Sequence, residues 1–470
     1  MAILPVILWT DALIFVLLGV TIALGIYAAR REPFRASWLQ ICRQPVAIAA
    51  WVILLAYVGI GLIDSVHFKW RLPETEAGQG VQYSPEVTSL LDMITHWLRK
   101  NVERTYSAPL AAYAYAKETV EMPDGSQARV YPRLRYGGAH LTDPAKEWRP
   151  DVIFTSLWGG FFGLVAALVL NAHFLFLLSR QHEVPPGEMM QAVLTGKTET
   201  AWRAILGTIT LLMILAGIAL SLSFKYHLLG TDKVGQDVFY LSLKAIRTGL
   251  VIGTVTTLVM LPFAVLLGIA AGYFRGWVDD VIQYLYTTLS SVPGVLLIAA
   301  AVLILQVYMD QNADTFTSVT QRADIRLLFL CIILGVTGWI GLCRLLRGET
   351  LKLREMDYIQ AATAMGGGSW RIITRHILPN VMHIVLISVV LDFSGLVLAE
   401  AVLSYVGVGV DPAMISWGNM INSARMEMAR EPVVWWSLAA AFVFMFGLVL
   451  SANLFSDAVR DALDPRLRSS

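Results

Sequence analysis

Charged residues are scarce in this chain of 470 residues. Asp, Glu, Lys and Arg make up only 15% of it, whereas hydrophobic residues make up 56%. An average soluble protein has about 25% charged residues, so an ordinary soluble domain is excluded, and so much apolar surface also excludes disorder as the bulk state. The net charge of +1 gives no field that would attract nucleic acid. The three cysteines, Cys42, Cys331 and Cys343, cannot form a disulfide framework.

The short motifs of catalysis and metal binding are absent as well. The sequence has no His-Glu-x-x-His, Cys-x-x-Cys or Gly-x-Ser-x-Gly. Gly196-Lys197-Thr198 ends like a nucleotide-binding P-loop, but Gln191 stands where that loop needs a glycine. We therefore expect no catalytic residues, no metal site and no cofactor in this chain, and we do not expect it to be an enzyme.

Long apolar runs are what the sequence has instead. Each is long enough to cross about 30 Å of hydrocarbon as a helix, and lipid offers no partner to the backbone of an open strand. The sequence therefore predicts an all-α polytopic membrane protein of about nine transmembrane helices. The predicted spans are 8–29, 44–63, 153–178, 202–223, 248–273, 282–307, 327–347, 382–408 and 435–456.

Basic residues predict the orientation. Arg30 and Arg31 follow the first run rather than precede it, which excludes a signal peptide and places the N-terminus outside. The basic loop 344–381 and the C-terminus are then inside. Loop 224–247 should be external although it holds four basic residues.

The longest polar stretch, 64–150, lies outside in this topology, and its pattern predicts a small α+β domain. Ser84-Pro85-Glu86 predicts a helix start, and Pro123-Asp124-Gly125-Ser126 predicts a turn between two strands. Two roles are open for this domain: a structural cap, or a docking surface for a partner through charges such as Arg133 and Arg135.

The loop at 357–379 has the sequence DYIQAATAMGGGSWRIITRHILP. The pattern predicts a short helix, a break at Gly366–Gly368, a second short helix capped by Ser369, and a proline at the entry to the membrane. The small side chains of Ala361 and Ala362 would allow a partner to approach closely. The loop is therefore either an elbow that docks on a partner or an ordinary basic loop.

This loop resembles the signature loop of ABC-importer permeases, and Arg375-His376-Ile377-Leu378-Pro379 resembles its dipeptide/oligopeptide branch. Gln360 stands where the family has Glu, which puts any charged contact from that position in doubt. The resemblance implies that the loop couples the membrane helices to an ATPase. The residues that carry this implied role are Asp357, Tyr358, Gln360, Ala361, Ala362, Gly366, Arg371, His376 and Pro379.

Further motifs of the same branch extend the resemblance over about 202–468. The stretch 227–238 resembles its external element, with Gly230, Thr231, Asp232 and Asp237 in place. Matches also occur at 272–279, 399–409, 416–420 and 460–466. The resemblance implies a permease core of six helices at 201–470, with the coupling loop at 357–379. Residues 1–200 have no place in the family's usual six-helix pattern. The apolar runs and the polar stretch divide them into a transmembrane pair at 1–63, a periplasmic domain at 64–150, and a third helix and cytoplasmic linker at 151–200.

The resemblance implies a permease subunit in the inner membrane that imports dipeptides or oligopeptides. Its implied partners are a second permease subunit, two ATPases that bind Mg-ATP, a periplasmic solute-binding protein and the lipid bilayer, with no nucleic acid. The same machinery could carry nickel, haem, glutathione or a peptide-like antibiotic. An ion-coupled secondary transporter is a different class, but such folds usually have internal repeats, which this sequence does not show convincingly. A membrane sensor would use 64–150 as its receptor.

Two acidic residues fall within the eighth predicted span. Asp392 lies near its middle and Glu400 lies two turns later. A charge inside the bilayer is costly, so each should face protein or a watery path. Either they line the translocation path or they bond to neighbouring helices.

Overall fold

The computed structural model describes residues 3–29, 32–72, 82–121, 127–312 and 318–463. Eight helices in this part are long and apolar enough to cross a bilayer, so the polytopic helical fold is confirmed. The helices, numbered in chain order, are α1 Trp9–Ala29, α2 Glu32–Arg43, α3 Pro45–Asp64, α4 Leu90–Ile94, α5 His96–Lys100, α6 Pro144–His182, α7 Pro186–Thr195, α8 Trp202–Ser223, α9 Val238–Phe274, α10 Gly276–Ser291, α11 Gly294–Gln311, α12 Val319–Gly338, α13 Ile340–Arg354, α14 Asp357–Ala364, α15 Ser369–Ile372, α16 Leu378–Tyr405, α17 Trp417–Glu427 and α18 Trp436–Leu463.

Seven predicted spans coincide with these long helices, an eighth overlaps α11 only in part, and the first coincides with α1. The predicted span 282–307 has the wrong bounds, because the chain breaks between α10 and α11. Val292 is extended (φ −91°, ψ 130°) and Pro293 follows it. A residue before proline avoids the helical region, and proline has no N–H to donate. Only α11 is therefore long and apolar enough for a span at this place.

The chain forms two compact units. One comprises residues 1–5, 32–248 and 415–455, and the other comprises 6–31, 249–414 and 456–470. The first unit includes residues on both sides of the predicted boundary at 200, because α6 and α8 pack closely. A Cβ on Gly163 would lie 2.4 Å from the Met213 carbonyl oxygen, and a Cβ on Gly217 would lie 2.4 Å from that of Gly159. Small residues at these places let the two backbones approach.

The polar stretch contains short helices and strands, as the α+β prediction requires. One sheet has three strands in the order β1 (Ile3–Val6), β2 (His67–Trp70) and β3 (Thr88–Ser89), of which β2 and β3 come from the polar stretch. In a second sheet, β4 (Glu118–Glu121) pairs antiparallel with β5 (Gln127–Val130). The strands on either side of the predicted turn are confirmed, but Pro123–Ser126 lies outside the described residues.

The predicted helix start at Ser84-Pro85-Glu86 is wrong. The helix begins at Leu90, and Ser89 caps it in a reciprocal capping box with Asp92. Ser89 accepts from the Asp92 N–H, and the Asp92 carboxylate accepts from the Ser89 N–H. This pair satisfies two terminal donors at once, whereas the Ser84 hydroxyl accepts from the Glu86 N–H without a reciprocal bond among the described residues.

Candidate functional site

The loop at 357–379, called here the elbow, begins with helix α14 and a glycine turn. The Gly367 N–H donates to the Ala362 carbonyl at 3.0 Å, and the Gly366 N–H donates to that of Thr363 at 3.0 Å. These two bonds form a Schellman motif, which requires a left-handed residue after the helix. Gly366 supplies it with φ +80°. A Cβ on Gly367 would lie 2.7 Å from the Ala362 oxygen, so this position requires glycine for a second reason.

The second half of the elbow differs from the prediction. Gly368, not Ser369, is the N-cap of α15, and it makes no side-chain cap bond. The predicted separate second helix is also wrong, because α15 continues through a π-helical turn at Ile373–Ile377 directly into α16. Proline cannot donate to the carbonyl four residues earlier and its ring crowds that group. The widened turn relieves this conflict ahead of Pro379.

Three buried isoleucines hold the elbow onto its unit. Ile359, Ile372 and Ile377 pack into one apolar cluster that also contains Leu353 and Leu346. The predicted pair of small residues divides between two environments. Ala361 is exposed, whereas Ala362 is half-buried and packs against the cluster. Only Ala361 is therefore open to close approach by another protein.

The opposite side of the elbow presents large apolar and basic side chains to solvent. Met365 is 87% exposed and Trp370 is 73% exposed, and both flank the glycine turn. Exposed apolar side chains clustered in this way mark a protein interaction surface more often than an ordinary loop. Besides Ala361, the exposed residues of the predicted set are Asp357, Tyr358, Gln360, Gly366, Arg371 and Pro379.

Polar contacts join the two halves of the elbow. The Asn380 amide donates to the Tyr358 hydroxyl at 3.3 Å and to the His376 carbonyl at 2.6 Å. The Tyr358 and His376 rings lie 6.2 Å apart. Gln360 donates to the Glu355 carbonyl at 3.2 Å. An ionised glutamate could not make this last bond, because a carboxylate has no proton to donate.

The sequence did not single out the support behind the elbow. Arg347 on α13 makes a bidentate ion pair with Asp279 on α10, at 2.6 and 2.7 Å. Hydrogen bonds from this guanidinium hold the pKa of Asp279 below its usual range. Arg275 also pairs with Glu355, two residues before the elbow begins. Asp279 is the last residue of the family motif at 272–279, but nothing in the sequence of that motif identifies Arg347 as its partner.

The two acidic residues of α16 have different surroundings. Glu400 is 2% exposed and accepts from the Ser404 hydroxyl at 2.7 Å. Ser404 in turn lies against Gly409, where a Cβ would be 2.0 Å from its Oγ. Asp392 is half-buried, and the described part of the chain forms no hydrogen bond or ion pair with its carboxylate. Glu400 therefore stabilises a packed turn, whereas the Asp392 carboxylate is without a partner among the described residues.

The external element is folded inward on the polar stretch. Asp237 is buried, and it accepts from the Phe239 and Tyr240 N–H groups as the cap of α9 while it pairs with His227 at 2.8 Å. Glu103 of the polar stretch lies 3.5 Å from the other side of His227. Burial alone would lower the pKa of His227, but these two carboxylates raise it to about 9.

Backbone contacts extend this junction. The Glu103 N–H donates to the Gly235 carbonyl at 3.0 Å, and the Ser107 N–H donates to the Thr231 hydroxyl at 2.7 Å. Gly230 and Gly235 both have positive φ, which lets the element turn twice within a few residues. Asp232 closes the turn by accepting from the Val234 and Gln236 N–H groups. Of the predicted external residues, Gly230, Thr231 and Asp237 are thus buried against the chain itself, and Asp232 is half-buried.

Arg133 and Arg135, suggested as docking charges, also have internal roles. The Arg133 guanidinium donates to the Gly138, Ala139 and Leu141 carbonyls. Arg135 contributes its backbone N–H, which donates to Glu103 at 2.9 Å, whereas its side chain is exposed. Charge reversal at Arg133 would break the fold of the loop, so it cannot test docking cleanly.

Comparison with known proteins identifies the family. Residues 264–469 match the model of the binding-protein-dependent transport system inner membrane component. The chain is 34% identical over 245 residues to the glutathione transport system permease protein GsiD of Pectobacterium atrosepticum, which covers 52% of this chain and 74% of that protein.

Two other relatives match the same share of the chain. The oligopeptide transport system permease protein OppC of Mycobacterium tuberculosis is 34% identical over 52% of this chain and 77% of its own length. The dipeptide transport system permease protein DppC of Bacillus subtilis is 30% identical over 52% and 69%. This chain therefore belongs to the permease subunits of ABC importers, in the branch that contains the dipeptide and oligopeptide permeases.

Proposed function

We propose that this chain forms half of the membrane channel of an importer of short peptides, and that the elbow couples it to an ATPase. A second permease subunit would complete the channel. Two separate ATPases, which bind Mg-ATP in their own sites, would dock on the elbows, and a solute-binding protein would deliver substrate from the periplasm. This chain would bind no nucleotide and catalyse no reaction itself. The observation that carries the proposal is the elbow: a firmly anchored turn whose free side exposes Ala361, Met365 and Trp370.

The proposed substrates share the chemistry of short peptides. The similar proteins are named for glutathione, oligopeptide and dipeptide transport, and all three substrates carry a free amino group and a carboxylate. Asp392, with its unused carboxylate, is proposed to line the path and meet the amino group. Glu400 is proposed to stabilise the packing of α16 instead. Glutathione is the second candidate substrate, supported by the relative of that name.

An Asp substitution at the elbow tests the coupling. Ala361→Asp places a charge on the exposed contact surface, and an unpaired charge buried in an interface costs several kcal/mol. Co-purification of the ATPases and uptake of a labelled dipeptide should both fall at least tenfold. Ala145→Asp, an exposed alanine of the polar stretch, is the matched control and should retain both. Normal uptake with Ala361→Asp would contradict the coupling role.

Amino-group recognition has its own test. Asp392→Asn should raise the KM for dipeptides with a free amino terminus and leave uptake of N-acetylated dipeptides unchanged. Ser394→Ala, two residues along the same helix, is the control. Equal effects on both classes of peptide would show that Asp392 only stabilises the helix.

The orientation is proposed with the N-terminus in the periplasm, the C-terminus in the cytoplasm and the chain in the inner membrane. The three native cysteines would first be replaced. A cysteine at Ala145 should then react with an impermeant reagent in intact spheroplasts, and a cysteine at Ser369 should react only after lysis. Both positions are exposed. The opposite pattern would overturn the orientation.

A further inference from the structure

An open cleft of about 790 Å³ lies where α3 and α8 begin. Its wall combines Arg43 and Pro45 with the segment 196–204, and the Ala201 N–H donates to the Cys42 carbonyl at 2.8 Å across it. Three basic side chains line the cleft: Arg43, Lys197 and Arg203. All three are exposed, and none forms an ion pair within the part of the chain that the structure describes. Glu199 is the one carboxylate in the lining, so the charge of the wall is +2.

The position of the cleft indicates what kind of anion it receives. The helices α3 and α8 are two of the most apolar candidate spans, with mean hydropathy 2.6 and 2.4, and both begin at this cleft. The cleft therefore lies at the depth where the apolar part of the bilayer gives way to headgroups. Exposed apolar side chains continue along the spans below it, among them Val46, Leu211 and Leu215. An occupant with a phosphate in the cleft and acyl chains beside these residues would match both surfaces.

Backbone dipoles add to the basic side chains. The first turns of α3 and α8 both lie at the cleft, and neither helix receives a side-chain cap bond at its N-cap residue, Gln44 or Ala201. The partial positive charge at the start of a helix favours a negative charge nearby. Trp202 also lines the cleft and stands at the start of α8, a position at which tryptophan commonly lies among headgroups.

We propose that this cleft binds the phosphate of an anionic phospholipid headgroup. Basic pockets between transmembrane helices are suited to such headgroups, and each basic residue near the surface contributes about 1 kcal/mol, or about fivefold in affinity. The cleft lies wholly in residues 43–204, outside the segment matched by the family model. The inference therefore stands independently of the proposed peptide import.

The test compares lipid retention by the full-length chain in nanodiscs of phosphatidylcholine with one fifth phosphatidylglycerol. The triple variant Arg43→Gln, Lys197→Gln, Arg203→Gln should retain at least tenfold less phosphatidylglycerol by native mass spectrometry. The triple variant Arg104→Gln, Arg129→Gln, Lys146→Gln removes the same charge from the polar stretch and should retain as much as the unmodified chain. Glu199→Gln should retain more, because it removes the opposing carboxylate.

Inorganic phosphate distinguishes the lipid from a soluble anion. The proposal expects millimolar phosphate to leave lipid retention unchanged. The opposite result would be saturable binding of phosphate by the unmodified chain that the cleft triple variant loses, while that variant retains as much lipid as the unmodified chain. This result would overturn the proposal in favour of a soluble phosphate site. Equal lipid retention by the two triple variants, with both folded by circular dichroism, would also overturn it.

Discussion

Two of the family motifs in this chain differ in what their side chains contact. The elbow at 357–379 buries three isoleucines and turns Ala361, Met365 and Trp370 outward. The external element at 227–238 buries Thr231, His227 and Asp237 against the polar stretch 64–150. A motif is therefore no guide to whether its residues face a partner. The outward motif residues of the elbow are exposed and can contact a partner protein, whereas these three residues of the external element are buried against this chain's own polar stretch.

Gly235→Ala breaks the junction of the external element most severely. A Cβ there would lie 1.9 Å from the Glu103 carbonyl oxygen, and the residue has φ +78°. The alanine would be strained at this φ, and the backbone at Glu103 would also have to move away from its Cβ. We therefore expect a loss of about 3–4 kcal/mol in the free energy of unfolding. Gly276→Ala is the control: it has φ +56° but open space around it, and it should lose only about 1 kcal/mol. Thermal unfolding in detergent measures both, and equal losses would show that the close contact adds nothing.

This contrast also explains which features could be predicted. Apolar runs set the spans, because length and hydropathy are local properties of the chain. The positive φ of the glycine turn could be predicted from Gly366–Gly368 for the same reason. The partner of a buried polar group could not, because Glu103 and His227 are 124 positions apart and only the fold brings them together. The same holds for Arg347 with Asp279, and for the continuous helix through Pro379.

Glu103→Gln tests the charge at the buried junction. Burial would raise the pKa of Glu103, but the neighbouring His227 and hydrogen bonds from three backbone N–H groups lower it to about 2. The amide keeps an acceptor for the backbone and loses the charge that faces His227. We expect a loss on the order of 2 kcal/mol, since a buried charge is left with one partner fewer. Glu118→Gln removes a half-buried carboxylate of the same stretch that pairs with the exposed Arg104, and it should cost under about 0.5 kcal/mol.

The stability of the folded chain should fall as the pH rises, because of His227. The pKa of His227 is raised from 6.5 to about 9 in the folded chain. Its contribution is therefore complete below about pH 6.5 and is lost as the pH rises through about 9. The unmodified chain should lose stability over this window, and His227→Gln should lose much less. The same slope in both proteins would show that another group controls the alkaline loss.

At the elbow, a matched pair of glycines sharpens the comparison. Gly366→Ala forces a side chain into φ +80°, and Gly368→Ala does not, while both positions have open space for a Cβ. We expect Gly366→Ala to lose about 1 kcal/mol of stability and to reduce uptake severalfold by tilting the exposed surface. Gly368→Ala should change neither. If both variants transport normally, the conformation of the turn does not matter for coupling.

The smallest effect concerns the residue that departs from the family pattern. Gln360→Glu restores the expected carboxylate and removes the hydrogen bond to the Glu355 carbonyl. That bond is exposed, so its loss should cost under about 0.5 kcal/mol, and a new negative charge in the early part of α14 partly offsets it. Gln360→Ala removes the same bond without adding a charge and is the control. If the partner ATPase retains a basic group for the family carboxylate, Gln360→Glu alone should increase ATPase co-purification. Equal co-purification by the two variants would instead show that Gln360 acts only inside the elbow, where its amide closes the turn between α13 and α14.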